Sequence, residues 1–150
     1  MSSTARSILG IDFTSAPGSR KAITVARAEL DGARLTIKAI DYLTSFADFE
    51  AMLQTPGPWV GGFDFPFGLP RELVATLGWP QEWPQMVRHI QALGKDAFKD
   101  ALNAVRESRP MGSRYIARCG DAAAGSSSPM KLVNPPVGLM FFEEIGRAHV

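Results

Sequence analysis

Hydrophobic positions alternate with polar ones near the N-terminus and then change to a helical period, which predicts strands first and helices afterwards. Residues 7–13, Ser-Ile-Leu-Gly-Ile-Asp-Phe, form a short apolar run stopped by the turn-rich stretch Thr14 to Ser19, as expected of a buried strand. Residues 21–30 alternate around Ile23 and Val25. Asp31-Gly32 then supplies a hairpin turn, because both residues tolerate positive φ, and Leu35, Ile37 and Ala39 alternate with Thr36 and Lys38. These three strands read as an antiparallel meander. Ser45 followed by Asp48 resembles a helix cap, and Phe46, Phe49 and Leu53 share one helical face in a short helix that ends before Pro56. Trp59 to Phe63 reads as a second buried strand, stopped at Asp64 by the proline of Phe65-Pro66. With a helix between them, this strand and the first are able to run parallel through a right-handed crossover.

The second half is read as helical. A brief helix starts at Pro70 and runs through Leu77, where Gly78 ends it. Another opens at Pro84, with Met86, Val87, Ile90 and Leu93 on one face, and Gly94 interrupts it before Phe98, Leu102 and Val105 resume the stripe. The cluster Trp79-Pro80-Gln81-Glu82-Trp83-Pro84 packs on the sheet or stacks a base. From Arg106 to Lys131 the chain reads as a long loop rich in Gly, Ser and Pro, and Val137 to Phe142 as a last apolar strand. The expectation is one α/β domain over residues 1–143: a mixed sheet, with a three-stranded meander plus a parallel strand, flanked by helices.

Composition narrows the chemistry. With 150 residues, 45% of them hydrophobic, a single core of useful size is able to form. No secretory signal or apolar span is evident, so the expected location is cytoplasmic with no membrane partner. Cys119, His89 and His149 are the only cysteine and histidines, too few for a Cys/His zinc site, so any metal needs oxygen ligands. His89 reads as a surface or half-buried side chain on its helix. A net charge of +1 excludes strong chain-wide attraction to polyanions but permits a local patch, and Arg106, Arg109, Arg114, Arg118 and Lys131 outnumber the acids of the long loop.

The candidate site comes from a correspondence between the two parallel strands. Leu9-Gly10-Ile11-Asp12-Phe13 and Gly61-Gly62-Phe63-Asp64-Phe65 share the spacing Gly, apolar, Asp, Phe. Residues two apart on a strand share a face, so Gly10 and Gly62 leave space beside the carboxylates of Asp12 and Asp64. On adjacent strands about 4.8 Å apart, two carboxylates repel unless a cation lies between them. Mg²⁺ or Mn²⁺ suits such oxygen ligands and serves phosphodiester cleavage. A strand-end Asp also caps turns, and that reading stays open for each acid. No phosphate-loop or dinucleotide fingerprint is present, and there is no Ser-His-Asp arrangement.

The segments Ile8 to Ala16 and Gly62-Phe63-Asp64-Phe65-Pro66-Phe67-Gly68-Leu69-Pro70 resemble a domain-of-unknown-function family of predicted nucleases with an RNase H-like fold. The run Arg118-Cys119-Gly120-Asp121 to Ser128-Pro129, followed by Asn134 to Glu143, looks like that family's central motif. The resemblance implies a metal-dependent nuclease acting on DNA or RNA with Mg²⁺ or Mn²⁺. It implies Asp12 and Asp64 as catalytic, metal-holding acids, Asp121 and Glu143 as further ligands, and Arg114, Arg118 and Lys131 as phosphate-binding residues. Cys119-Gly120 departs from the more polar pair expected before Asp121. The same opening segment also resembles actin-like ATPases and sugar kinases, in which Asp12, Thr14 and Ser15 would form a phosphate-contacting hairpin. A non-catalytic nucleic-acid-binding module of the same fold is a third reading.

The final residues, Glu144-Ile145-Gly146-Arg147-Ala148-His149-Val150, match the peptide encoded by one frame of a common short-read sequencing adapter. Residues 144–150 are read as a non-native tail, with the natural gene continuing past Glu143 into further acids and a C-terminal helix. The domain is therefore expected to be incomplete at its C-terminus and inactive as this fragment.

Overall fold

The structure, a computed structural model, describes residues 6–145, and the chain forms two compact units that divide after Asp64. The first unit holds the sheet. Its strands are β1 (Arg6–Asp12), β2 (Ile23–Asp31), β3 (Arg34–Leu43) and β4 (Trp59–Phe63), with α1 (Phe46–Leu53) between β3 and β4. Strand order is β3-β2-β1-β4, antiparallel from β1 to β3 and parallel between β1 and β4. The mixed α/β sheet expected from the pattern is thus present.

One face of this sheet is its core. Leu9, Ile11, Ile23 and Val25 are buried with Phe49 and Met52 of α1. Phe13 follows β1 into the same core, its ring 5.2 Å from Phe49 and 6.0 Å from Phe46. Ser45 caps α1 by accepting the Asp48 amide at 3.1 Å. That cap satisfies one of the first-turn donors, which have no partner inside the helix.

Two details of the meander differ from the sequence reading. The β2–β3 turn is Gly32-Ala33, one residue later than expected, with Gly32 at φ 59°. A bulge then shifts the register: Arg27 pairs with Ala39 but Ala28 with Ile37, so Lys38 is the extra residue. Ile37 therefore shares a face with Ile40 and Tyr42 instead of with Ala39. This face lies opposite the core, and Ile37, Ile40, Tyr42 and Val60 are exposed on it.

The second unit is helical: α2 (Arg71–Thr76), α3 (Trp83–Leu93), α4 (Lys95–Ser108), α5 (Cys119–Ala124) and α6 (Val137–Ile145). Its core gathers Leu73, Val87, Ile90, Phe98, Leu102, Met130 and Phe141. Gly94 separates α3 from α4 at φ 83°, a backbone state that glycine adopts without steric cost. No helix among the described residues is long and apolar enough to cross a membrane.

Two expectations are corrected here. The Arg106–Lys131 stretch is not all loop: α4 runs on through Ser108, and α5 occupies Cys119–Ala124. The last apolar strand, expected over Val137 to Phe142, is the helix α6. Short apolar runs fit a strand or a buried helix equally well, and packing decides between them. Here Met140 N bonds Pro136 O at 3.0 Å, and Gly138 comes so close to the preceding segment that an added Cβ would lie 2.7 Å from Pro129 O. Helix α6 extends through Glu144 and Ile145, both buried at 8% and 2% exposure, while residues 146–150, with His149, lie outside the described residues.

Candidate functional site

Asp12 closes β1 and Asp64 directly follows β4. The parallel register pairs Gly10 with Gly62 and Ile11 with Phe63, which carries Asp12 and Asp64 to the next opposed position. Two bonds complete it. Asp64 N donates to Ile11 O at 3.3 Å, and Phe13 N donates to Asp64 Oδ1 at 2.8 Å. A continued parallel ladder would direct the Phe13 amide to the backbone carbonyl of residue 64. The Asp64 carboxylate takes that role, where the chain turns away toward Pro66.

The Asp12 and Asp64 side chains therefore meet. Burial raises the Asp64 pKa above its ordinary 3.8, the Phe13 amide opposes that shift, and a hydrogen bond with the Asp12 carboxyl and its charge add to it. Direct interaction of two carboxyls favours keeping a proton on one of them, since both ionised would repel at contact.

Both acids lie on the sheet face opposite the core, at the end of an open depression of about 490 Å³ lined by Gly10, Thr24, Ala26 and Gly62 along with the acids themselves. The expected space beside the carboxylates is there. A Cβ on Gly62 would meet nothing within 4 Å, and one on Gly10 would only touch the Ala26 Cβ at 3.8 Å. No basic side chain lines the depression. Its charge is that of two carboxylates, which attracts a cation and repels a bare phosphate.

The remaining sequence candidates belong to the second unit. Asp121 is 2% exposed, and its carboxylate is taken up by Arg118: Oδ2 accepts the Arg118 amide at 2.7 Å, and Oδ1 accepts Nε at 2.9 Å and Nη2 at 2.7 Å. Burial alone would raise the Asp121 pKa, but the bonds and charge of Arg118 outweigh it and lower it. Asp121 caps the start of α5 from its third position, its carboxylate accepting the Arg118 amide while its own amide donates to Arg118 O at 3.0 Å. Arg118 is thereby engaged, with Nη1 also reaching Gly68 O at 3.5 Å. Glu143 pairs with Lys95 at 2.6 Å on α6. Arg114 is exposed, and Lys131 Nζ donates to Asn134 O at 3.3 Å.

The basic loop is thus largely neutralised, because Arg106 pairs with Glu107 at 3.1 Å and Arg109 with Glu72 at 2.7 Å. The Arg109–Glu72 pairing joins residues far apart in sequence and leaves no local pattern, and the sequence reading missed it. His89 is half-buried, as expected, and lies 5.4 Å from Trp79, ring to ring.

Two carboxylates are the whole ligand set brought together: among the described residues no group of three or more His, Cys, Asp or Glu side chains is placed to hold a metal ion. Mg²⁺ is commonly held by one or two carboxylates, with water and substrate phosphate filling its other positions, so the pair fits such an ion. No family model, no curated protein and no solved structure matches the chain.

Proposed function

We propose that Asp12 and Asp64 hold a Mg²⁺ or Mn²⁺ ion in an RNase H-like nuclease that hydrolyses phosphodiester bonds of DNA or RNA. One observation carries this reading: the parallel register sets the carboxyls of two neighbouring strand ends side by side at an open depression that no other charged side chain lines. Such a juxtaposition costs energy in the absence of a cation and is relieved by one. The strand order β3-β2-β1-β4, with only β4 parallel to its neighbour, supports the RNase H-like assignment. A bound divalent ion supplies charge stabilisation and an activated water for phosphodiester cleavage.

The residues around the pair have separable duties. Phe13 N orients Asp64 toward Asp12. Gly10 and Gly62 keep the floor low enough for a phosphate to approach the acids. The phosphotransferase reading finds less support, because Thr14 is 4% exposed and its hydroxyl accepts the Ala16 amide of its own turn at 3.5 Å.

The test is Mn²⁺ binding by this chain, followed by electron paramagnetic resonance, together with cleavage of mixed nucleic acids. Binding is the decisive measurement, because the reading assigns the ion to these two acids. Bound Mn²⁺ that is lost in both Asp12→Asn and Asp64→Asn is the expected result. No bound Mn²⁺, or binding that survives both substitutions, overturns the reading.

A further inference from the structure

The Trp79–Pro84 segment takes no part in the cation site, and within the second unit its two tryptophans separate. Trp79 packs inward, 6.1 Å from Phe98 and 5.4 Å from His89, ring to ring. Trp83 begins α3 at 39% exposure, fixed by its Nε1 donating to Phe67 O at 3.0 Å. Its donor is thus already used, and the side chain contributes to a cavity wall.

Trp83 lines a cavity of about 170 Å³ whose apolar wall is Leu69, Val74 and Met86 and whose polar groups are Arg71 and Gln81. Arg71 enters no ion pair among the described residues. Drug-sized ligands fill about 300–1,000 Å³, so a cavity of this size takes one ring system.

Each wall selects. Apolar side chains beside an indole favour a flat ring, since stacking on Trp is available to any base. The Gln81 amide presents a donor and an acceptor together, which matches a base edge and has no counterpart on a hydrocarbon ring. Arg71 adds a cation suited to a phosphate oxygen. An aliphatic ligand would leave both polar groups unsatisfied, and a sugar would waste the apolar wall.

We infer that this cavity binds the base of a single nucleotide, stacked against Trp83, with its edge on Gln81 and its phosphate on Arg71. This site stands independently of the cation site and needs no metal.

The test follows tryptophan fluorescence of the 150-residue chain in EDTA during titration with AMP, GMP, CMP and UMP, with phenyl phosphate as an aromatic anion that lacks a base edge. Saturable quenching by at least one nucleotide is expected, with phenyl phosphate binding at least about tenfold more weakly. Arg71→Ala weakens nucleotide binding by about tenfold, the loss of one charge-assisted contact. Gln81→Ala reduces discrimination among the four bases. Both side chains are exposed, and circular dichroism verifies that the variants fold. Asp12→Asn leaves nucleotide binding unchanged, so failure of this inference and failure of the cation site are read separately. No saturable quenching, equal affinity for phenyl phosphate, or indifference to Arg71→Ala overturns the inference.

Discussion

Asp64 Oδ1 accepts the Phe13 amide at 2.8 Å, so a side chain completes the β1–β4 ladder at the point where the backbone of β4 departs. That bond has two effects. It satisfies a donor next to the buried Phe13 ring, and it fixes the second acid beside Asp12, so one contact joins sheet structure to site geometry.

Asp64→Asn keeps an oxygen acceptor for Phe13 and removes the carboxyl contact with Asp12. At pH 7 in chelator the variant is expected to gain stability. Since Asp64 is exposed, solvent screening limits the gain to a few tenths of a kcal/mol, or about 2 °C in Tm. Differential scanning fluorimetry reads it, and a clear loss of stability would mean that the carboxylate itself supports the fold.

The same pair sets a pH dependence. Asp64 has a raised pKa, so its contribution is most favourable below the ordinary value of 3.8 and is lost as pH rises through the elevated one. The Tm difference between Asp64→Asn and the parent should therefore be small in acid and grow in the variant's favour toward neutrality. A difference that is flat with pH would contradict the contact.

Divalent ions should reverse that cost. At ten times its Kd, Mn²⁺ is expected to stabilise the parent by about 1.4 kcal/mol and to leave Asp12→Asn unchanged. Denaturant titrations with and without Mn²⁺ measure this, and equal stabilisation of both proteins would place the ion elsewhere.

Asp121→Asn tests an ionic contact of opposite sign. The Asp121 pKa is lowered, so its stabilisation is present above the ordinary value of 3.8 and is lost as pH falls through the depressed one. Breaking this pair while leaving Arg118 in place is expected to cost about 2 kcal/mol at pH 7. Urea unfolding gives the number. An unchanged midpoint would show that the Arg118–Asp121 contacts contribute nothing.

Gly138→Ala probes the packing of α6. The added Cβ would fall 2.7 Å from Pro129 O, and backbone has little room to yield, so a loss of about 1–3 kcal/mol is expected. Gly62→Ala serves as the comparison: nothing lies within 4 Å of its Cβ, and stability should be retained or slightly improved. Similar losses in both variants would rule out the steric explanation.

The sequence by itself determined the local elements and the candidate acids. A short apolar run marked β1 and alternation β2, Ser45 marked the start of α1, Gly94 the break between α3 and α4, and the repeated Gly-x-Asp spacing singled out Asp12 and Asp64. These signals act within a few residues, where dihedral preference and periodicity are set by the chain itself. Tertiary structure alone decided the bulge at Lys38, the helical state of Val137–Ile145, and the pairing of Arg109 with Glu72. Register depends on the partner strand, an apolar run takes the form its neighbours can bury, and a carboxylate accepts whichever donor folding brings to it. None of those partners can be read from spacing along the chain.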